Sequence, residues 1–176
     1  MPPLTYEIDP THSSAHFSVR HLMVSNVRGE FTKVSGIVKF DPEKPETSSV
    51  EASIDANSIS TRDAQRDGHL KSADFLDTEK FPAITFRSKK VELARGGGKI
   101  TGDLTIHGTT REITLDVEGP SPEMKDPWGK QRVGASATTK LSRKDFGLVW
   151  NAALETGGVM IGDEVKVNID VEFVRG

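Results

Sequence analysis

Histidine is the side chain here best suited to metal binding or proton transfer, and five occur among 176 residues. Two of them, His12 and His16, have the separation that puts a pair of ligands on one face of a helix. The stretch Thr11-His12-Ser13-Ser14-Ala15-His16 reads instead as a turn entering a strand, where four extended residues span about 13 Å. No metal site is expected from them. Nucleophilic chemistry finds as little: Gly134-Ala135-Ser136-Ala137-Thr138 lacks the closing glycine of a Gly-x-Ser-x-Gly elbow and falls within a strand. Gly96-Gly97-Gly98 has neither the lysine nor the helix that a phosphate-cradling loop requires. The expectation is a chain without catalytic residues, metal or cofactor.

Cationic side chains form a more coherent group. Arg62, Arg66 and His69 follow i, i+4, i+7 in a run that reads as helical, so they share a face and can hydrogen-bond an anionic head group. A solvated helix face has the same spacing. Arg20, Arg28 and Lys71 are further candidates for the same mouth. His21 shares the parity of Ala15, Phe17 and Val19 and so becomes a polar contact inside whatever these residues enclose. It also supports a rival reading, an isomerase or hydrolase acting on an apolar substrate with His21 as acid or base. That reading needs a carboxylate of matching parity, and the sequence offers none.

Composition narrows the partners. Basic and acidic side chains number 23 and 26, are interspersed, and leave a net charge of -3, so no basic stripe exists to follow a nucleic-acid backbone. Zero cysteines remove disulfides and thiolate sites from consideration. No apolar run approaches the roughly 18 residues of a spanning helix, which leaves transient membrane contact as the expected limit. Met1-Pro2-Pro3-Leu4-Thr5-Tyr6-Glu7 lacks the basic end and apolar run of a secretory signal, and a cytoplasmic location is expected. Residues 1–176 read as a single domain.

Strands must position these groups. An apolar–polar alternation of period two runs through at least eight stretches, most plainly where Val165, Val167, Ile169, Val171 and Phe173 alternate with Lys166, Asn168, Asp170 and Glu172. That is the mark of half-buried strands. One strand is expected over about Ser14 to Met23 and a second over about Gly29 to Asp41, with Val34, Val38 and Phe40 inward. Val50, Ala52, Ile54 and Ala56 form a third. Then come Ile84 with Phe86, Ile100 with Leu104 and Ile106, Ile113 with Leu115 and Val117, and finally Val133, Ala135, Ala137, Thr139 and Leu141. Gly96-Gly97-Gly98 and His107-Gly108-Thr109-Thr110 serve as hairpin connections. Short turns between sequential strands imply an up-and-down antiparallel order, and closing eight strands into a barrel removes exposed edges. Residues 61–77 read as helical with Thr61 or Ser60 as N-cap, anchored by Phe75, Leu76 and Phe81, and residues 142–162 show no alternation. Both segments are expected to cover a barrel end.

Eight strands enclose a space that side chains just fill or that holds one ligand. Of the eight inward residues Val50, Ala52, Ile54, Ala56, Val133, Ala135, Ala137 and Thr139, four are alanine. A solid core would favour bulky side chains there, since a methyl-sized void costs about 1 kcal/mol. Either Phe17, Phe40, Phe86 and Phe173 reach across to fill the space, or a long apolar guest occupies a bore about 25 Å deep. A plugged barrel would be an interaction module only.

Several stretches together resemble the YceI-like family of polyisoprenoid-binding proteins. They are Tyr6-Glu7-Ile8-Asp9-Pro10-Thr11-His12-Ser13, Phe17-Ser18-Val19-Arg20-His21-Leu22, Arg66-Asp67-Gly68-His69-Leu70 with Phe75, and Phe81-Pro82-Ala83-Ile84-Thr85-Phe86. Gly102-Asp103-Leu104-Thr105-Ile106-His107-Gly108-Thr109-Thr110 and Arg143-Lys144-Asp145-Phe146-Gly147-Leu148 complete the pattern. The resemblance implies an all-β, lipocalin-like eight-stranded up-and-down barrel with a short helical segment over one end and a hydrophobic bore for a polyisoprenoid lipid, with a phosphate or quinone-type head. It implies storage or transport without enzyme activity, and a homodimer. Many such proteins carry a secretory signal, so the resemblance also keeps the periplasm in view. The tail is expected against Phe17, Val19, His21, Val38, Phe40, Ile54, Phe75, Phe86, Leu104, Ile106, Leu115, Ala135 and Ala137, with Phe146 and Trp150 near an opening.

Overall fold

The computed structural model describes residues 3–94, 96–152 and 160–176. In chain order the strands are β1 (Leu4–Ile8), β2 (Ser14–His21), β3 (Ser25–Phe31), β4 (Val34–Phe40), β5 (Ser49–Asp55) and β6 (Ile59–Ser60). A helix α1 (Ala64–Lys71) separates these from β7 (Ala83–Ala94), β8 (Gly97–Ile106), β9 (Thr109–Glu118), β10 (Met124–Lys125), β11 (Gln131–Ser142) and β12 (Ile161–Arg175). Eight of them close an antiparallel ring in the order β1-β4-β5-β7-β8-β9-β11-β12, with β12 bonded to both β11 and β1.

The remaining strands explain how the ring keeps chain order. β2, β3 and β6 prolong β1, β4 and β5 past short breaks, so each pair acts as one bent stave. β12 runs 15 residues along this seam. One of its edges meets β1 at Ile8↔Phe173 and β2 from Ala15↔Ile169 to Val19↔Val165, while β11 pairs along its other edge from Gln131↔Arg175 to Ser142↔Glu164. Counted by staves, every sequential neighbour is paired, as the short turns predict.

Three local expectations need correction. The strand read over Gly29 to Asp41 breaks at Thr32 and Lys33, because their N–H groups turn to the Ser58 carbonyl and hydroxyl at 3.4 and 3.2 Å. Ser58 reaches this place through the 3-10 turn Ala56–Ser58, a long-range stitch that strand periodicity does not record. The helix is capped by Asp63 rather than Thr61 or Ser60: its carboxylate accepts the N–H groups of Gln65 and Arg66 at 3.1 and 3.0 Å, the usual way to satisfy a helix start. Thr61 is buried and gives both its N–H and its hydroxyl to Asp67, at 2.8 and 2.6 Å. The helix also ends at Lys71, and Phe75 and Leu76 then fold inward as buried anchors. Of the glycine triplet only Gly96 lies in the β7–β8 turn; Gly97 and Gly98 belong to β8, where a Cβ on Gly98 would stand 1.9 Å from the Glu92 carbonyl.

The two barrel ends differ. One carries the β2–β3 turn, α1, the β8–β9 turn and the 3-10 turn Arg143–Phe146. Residues 153–159, part of the segment expected over an end, lie outside the described residues. Toward the other end Tyr6, Val133, Val38 and Phe173 belong to one buried apolar cluster, with Tyr6 edge-on to Phe173 at 5.2 Å. Tyr6 donates its hydroxyl to Glu123, which also pairs with Arg175. Burial, with the Glu123 carboxylate adding to it, pushes the Tyr6 pKa above its ordinary value.

Candidate ligand-binding site

The barrel interior is hollow. A cavity of about 390 Å³ runs inside the staves, lined almost wholly by apolar side chains from every strand of the ring and from α1, Phe75, Phe146 and Trp150. β5 and β11 stand four places apart in the ring of eight, so Ala52 on one wall faces Ala135 and Ala137 on the other. Short side chains opposite each other leave the space between the walls open.

Aromatic rings do not fill the gap, because two of them rest against a glycine of a neighbouring strand. Phe17 pairs with Gly29, and a Cβ there would sit 2.5 Å from the ring. Phe86 leans on Gly102, where a Cβ would sit 2.7 Å from its ring tip; the glycine lies two residues from Phe86's partner Leu104 and so diagonal to Phe86. Each glycine supplies a bare patch of backbone where the end of an aromatic ring comes to rest at the wall instead of crossing the bore.

Most residues expected to meet a ligand line this cavity: Phe17, Val19, His21, Val38, Ile54, Phe75, Phe86, Leu104, Ile106, Leu115, Ala135, Ala137, Phe146 and Trp150. Phe40 is not in the wall. It closes β4 opposite Leu4 and packs on the Tyr6 cluster instead. The cationic face also resolves differently. Arg62 precedes the helix with a positive φ of 64° and stays out of the wall, since the chain must turn before Asp63 can cap. Arg66 lines the cavity while folding back on Thr61, with its Nε 2.8 Å from the hydroxyl and its other nitrogen 2.8 Å from the carbonyl. His69 lines it too. Its Nε2 lies 2.9 Å from Asp74, and its ring meets Phe75 and Trp150 edge-on at 5.0 and 4.8 Å. These three rings form an aromatic cluster over the α1 end.

Arg143 is the residue that sequence periodicity passed over. It is 5% exposed and lines the cavity, and its guanidinium donates to the carbonyls of Gly162, Leu148, Trp150 and Ile161. Burial lowers its pKa from the ordinary value, and the Asp163 charge opposes that shift. The visible signal was an arginine in Arg143-Lys144-Asp145-Phe146-Gly147-Leu148, but a six-residue turn has no period that marks it as inward. Among the described residues no aspartate or glutamate lines the cavity, whereas Arg20, His21, Arg66, His69 and Arg143 do so toward the α1 end. Among the described residues His21 therefore has no carboxylate partner in the wall.

Outside the barrel, Asp9, His12 and Glu172 bring ligand atoms within 4.8 Å of one another. Arg132 already answers this charge, at 2.7 Å from Asp9, 3.0 Å from Glu172 and 3.2 Å from Asp126. Burial works against ionisation of Asp9, but the bonds from Arg132, His12 and Thr11 outweigh it and hold the carboxyl well below the usual range. The cluster clamps the bend between β1 and β2 onto β11 and β12. Nothing in it faces the cavity.

Comparison with known proteins agrees with this architecture. Residues 6–173 match the YceI-like domain. A UPF0312 protein of Staphylococcus aureus (strain N315) is 41% identical over 168 residues, covering 96% of each chain. The Campylobacter jejuni YceI protein superposes with a TM-score of 0.74 at 34% identity, over 89% of this chain and 90% of that one. A polyisoprenoid binding domain from Saccharophagus degradans, implicated in plant cell wall breakdown, shares the fold with a TM-score of 0.68 at 19% identity, over 96% and 97%. No helix among the described residues is long and apolar enough to cross a membrane.

Proposed function

The chain belongs to the YceI-like family, and from that premise we propose that it binds a long isoprenoid lipid inside its barrel, for storage or transport. The observation that carries the proposal is the open bore: alanines face each other across it and two phenylalanines are parked on glycines. An unfilled apolar space of this size is a standing cost to the fold, and a guest offsets it at about 0.8 kcal/mol for each buried CH₂. The polyisoprenoid binding domain that shares the fold is consistent with a prenyl chain as guest.

Polarity of the wall supports an orientation. Toward the Tyr6 end the wall is apolar, with Val38, Val50, Val91, Leu93, Ile100 and Phe173, so the tail points toward it and the head lies among Arg66, His69, His21 and Arg143. Donors without carboxylates favour an anionic or hydrogen-bond-accepting head. Any chain longer than the cavity emerges past the His69, Phe75 and Trp150 cluster. Native mass spectrometry of detergent-free protein tests this reading, with a lipid-sized mass expected in the complex and released by organic solvent. Repeated recovery of empty protein that also fails to take up a fluorescent prenyl probe would sink it.

A further inference from the structure

The three residues that turn β2 into β3 are apolar and exposed: Leu22 by 41%, Met23 by 51% and Val24 by 75%. They are strained as well. Leu22 and Met23 hold positive φ values of 52° and 62°, a region that bulky residues avoid and that Asn-Gly enters freely. The chain thus keeps large apolar side chains where both solvation and backbone geometry disfavour them, and a function is the reason to look for.

Its surroundings name the partner. Arg20 donates to the Met23 carbonyl at 3.1 Å and holds the tip in place. Arg28 lies diagonal to it across the hairpin, since Ser18 pairs with Arg28 and Arg20 with Asn26, and neither arginine has an ion pair among the described residues. Several carboxylates at this end are occupied internally: Asp67 by Thr61, Asp74 by His69 and Asp163 by Ser142. An apolar tip backed by two arginines that carry no ion pair among the described residues matches a bilayer, with acyl chains at the surface and phosphates just outside them. The tip also sits on the rim of the cavity. The Leu22 N–H donates to the Met160 carbonyl at 2.7 Å, and Arg20, His21 and Met160 line the opening.

We propose that the β2–β3 hairpin tip, Leu22-Met23-Val24 backed by Arg20 and Arg28, docks the barrel on a phospholipid bilayer so that the cavity mouth opens against the membrane surface. A prenyl chain then passes between leaflet and bore without crossing water. Docking and internal lipid binding are separate properties, and the test keeps them apart.

Full-length protein is floated with phosphatidylcholine–phosphatidylglycerol vesicles, and uptake of a prenyl probe is measured separately in vesicle-free solution. The double variant Leu22→Asn, Met23→Gly relieves the turn while removing both side chains. Its vesicle partition should fall by about tenfold or more, with a melting temperature no lower than the parent's and probe uptake unchanged. Trp128→Ser alters an exposed residue of the opposite end, 76% accessible, and should leave partition intact. Parent protein that stays off vesicles, or a double variant that partitions like the parent, overturns the proposal. So does a parent dimer that the double variant splits without any change in partition, since the tip would then serve a second copy of the chain. Probe uptake lost with docking intact would count against the carrier reading and not against this one.

Discussion

A methyl group at Gly29 would stand 2.5 Å from the Phe17 ring and 2.9 Å from the Thr61 methyl. The ring is the softer neighbour, and the space available to it is the bore. Gly29→Ala is therefore expected to swing Phe17 inward, at about 1–3 kcal/mol of stability, and to weaken a prenyl probe about tenfold or more by competing for the same volume. Fluorescence titration beside a thermal melt checks both effects; unchanged affinity would mean the ring finds room elsewhere. Asp9 gives the residue scale its pH dependence. The fold depresses its pKa below the ordinary value of 3.8, so the ionised form stabilises the native state fully above that value, and the contribution fades as pH falls through 3.8 toward the folded value. Acid unfolding of Asp9→Asn should show a shallower loss of stability below about pH 4 than the parent does. Equal slopes would place the acid sensitivity on other carboxylates.

At the scale of elements, β5 and β11 set the width of the tunnel, since they face each other with alanines at Ala52, Ala135 and Ala137. Ala137 neighbours Val117 and Ile169 across its two strand pairings, so a larger side chain there can only project into open space. Ala137→Phe should abolish probe uptake while keeping or raising the melting temperature, because it fills a void from inside. Uptake equal to the parent's would show that the strand does not face the guest. This parity was legible in Val133-Gly134-Ala135-Ser136-Ala137 because alternation over a long strand leaves one choice of face. β1 was not legible: Leu4–Ile8 spans five residues, too few for a period to stand out, although Tyr6 and Ile8 are buried. The break at Thr32 and Lys33 and the capping by Asp63 were hidden for another reason. Both depend on which hydrogen-bond acceptor arrives, and for the first that acceptor is Ser58, on a different stave.

Across the whole molecule, the ring was foreseeable and its contents were only half so. Periodicity and turn spacing carry strand order, because sequential neighbours pair. They also leave Phe17, Phe86 and Phe40 equivalent, as aromatic residues of inward parity. What separates them is register: Gly29 and Gly102 lie where two of the rings come to rest, while Phe40 falls beside Leu4 and out of the cavity wall. Register is a property of pairs of strands, and one strand read alone does not contain it. Arg143 was hidden in the same way, since its carbonyl partners come from its own turn and from the start of β12.

The seam along β12 has a consequence for how the protein is made. On the ribosome, β1, β2 and β11 emerge with open edges that only this last stave can cover, so for most of synthesis the nascent chain is an unclosed curl exposing its greasy side. Nascent chains stalled before residue 161 should recruit holding chaperones and yield to protease, and chains stalled with residue 175 clear of the exit tunnel should resist both. Early protease resistance would mean that the curl shields itself before its final stave arrives.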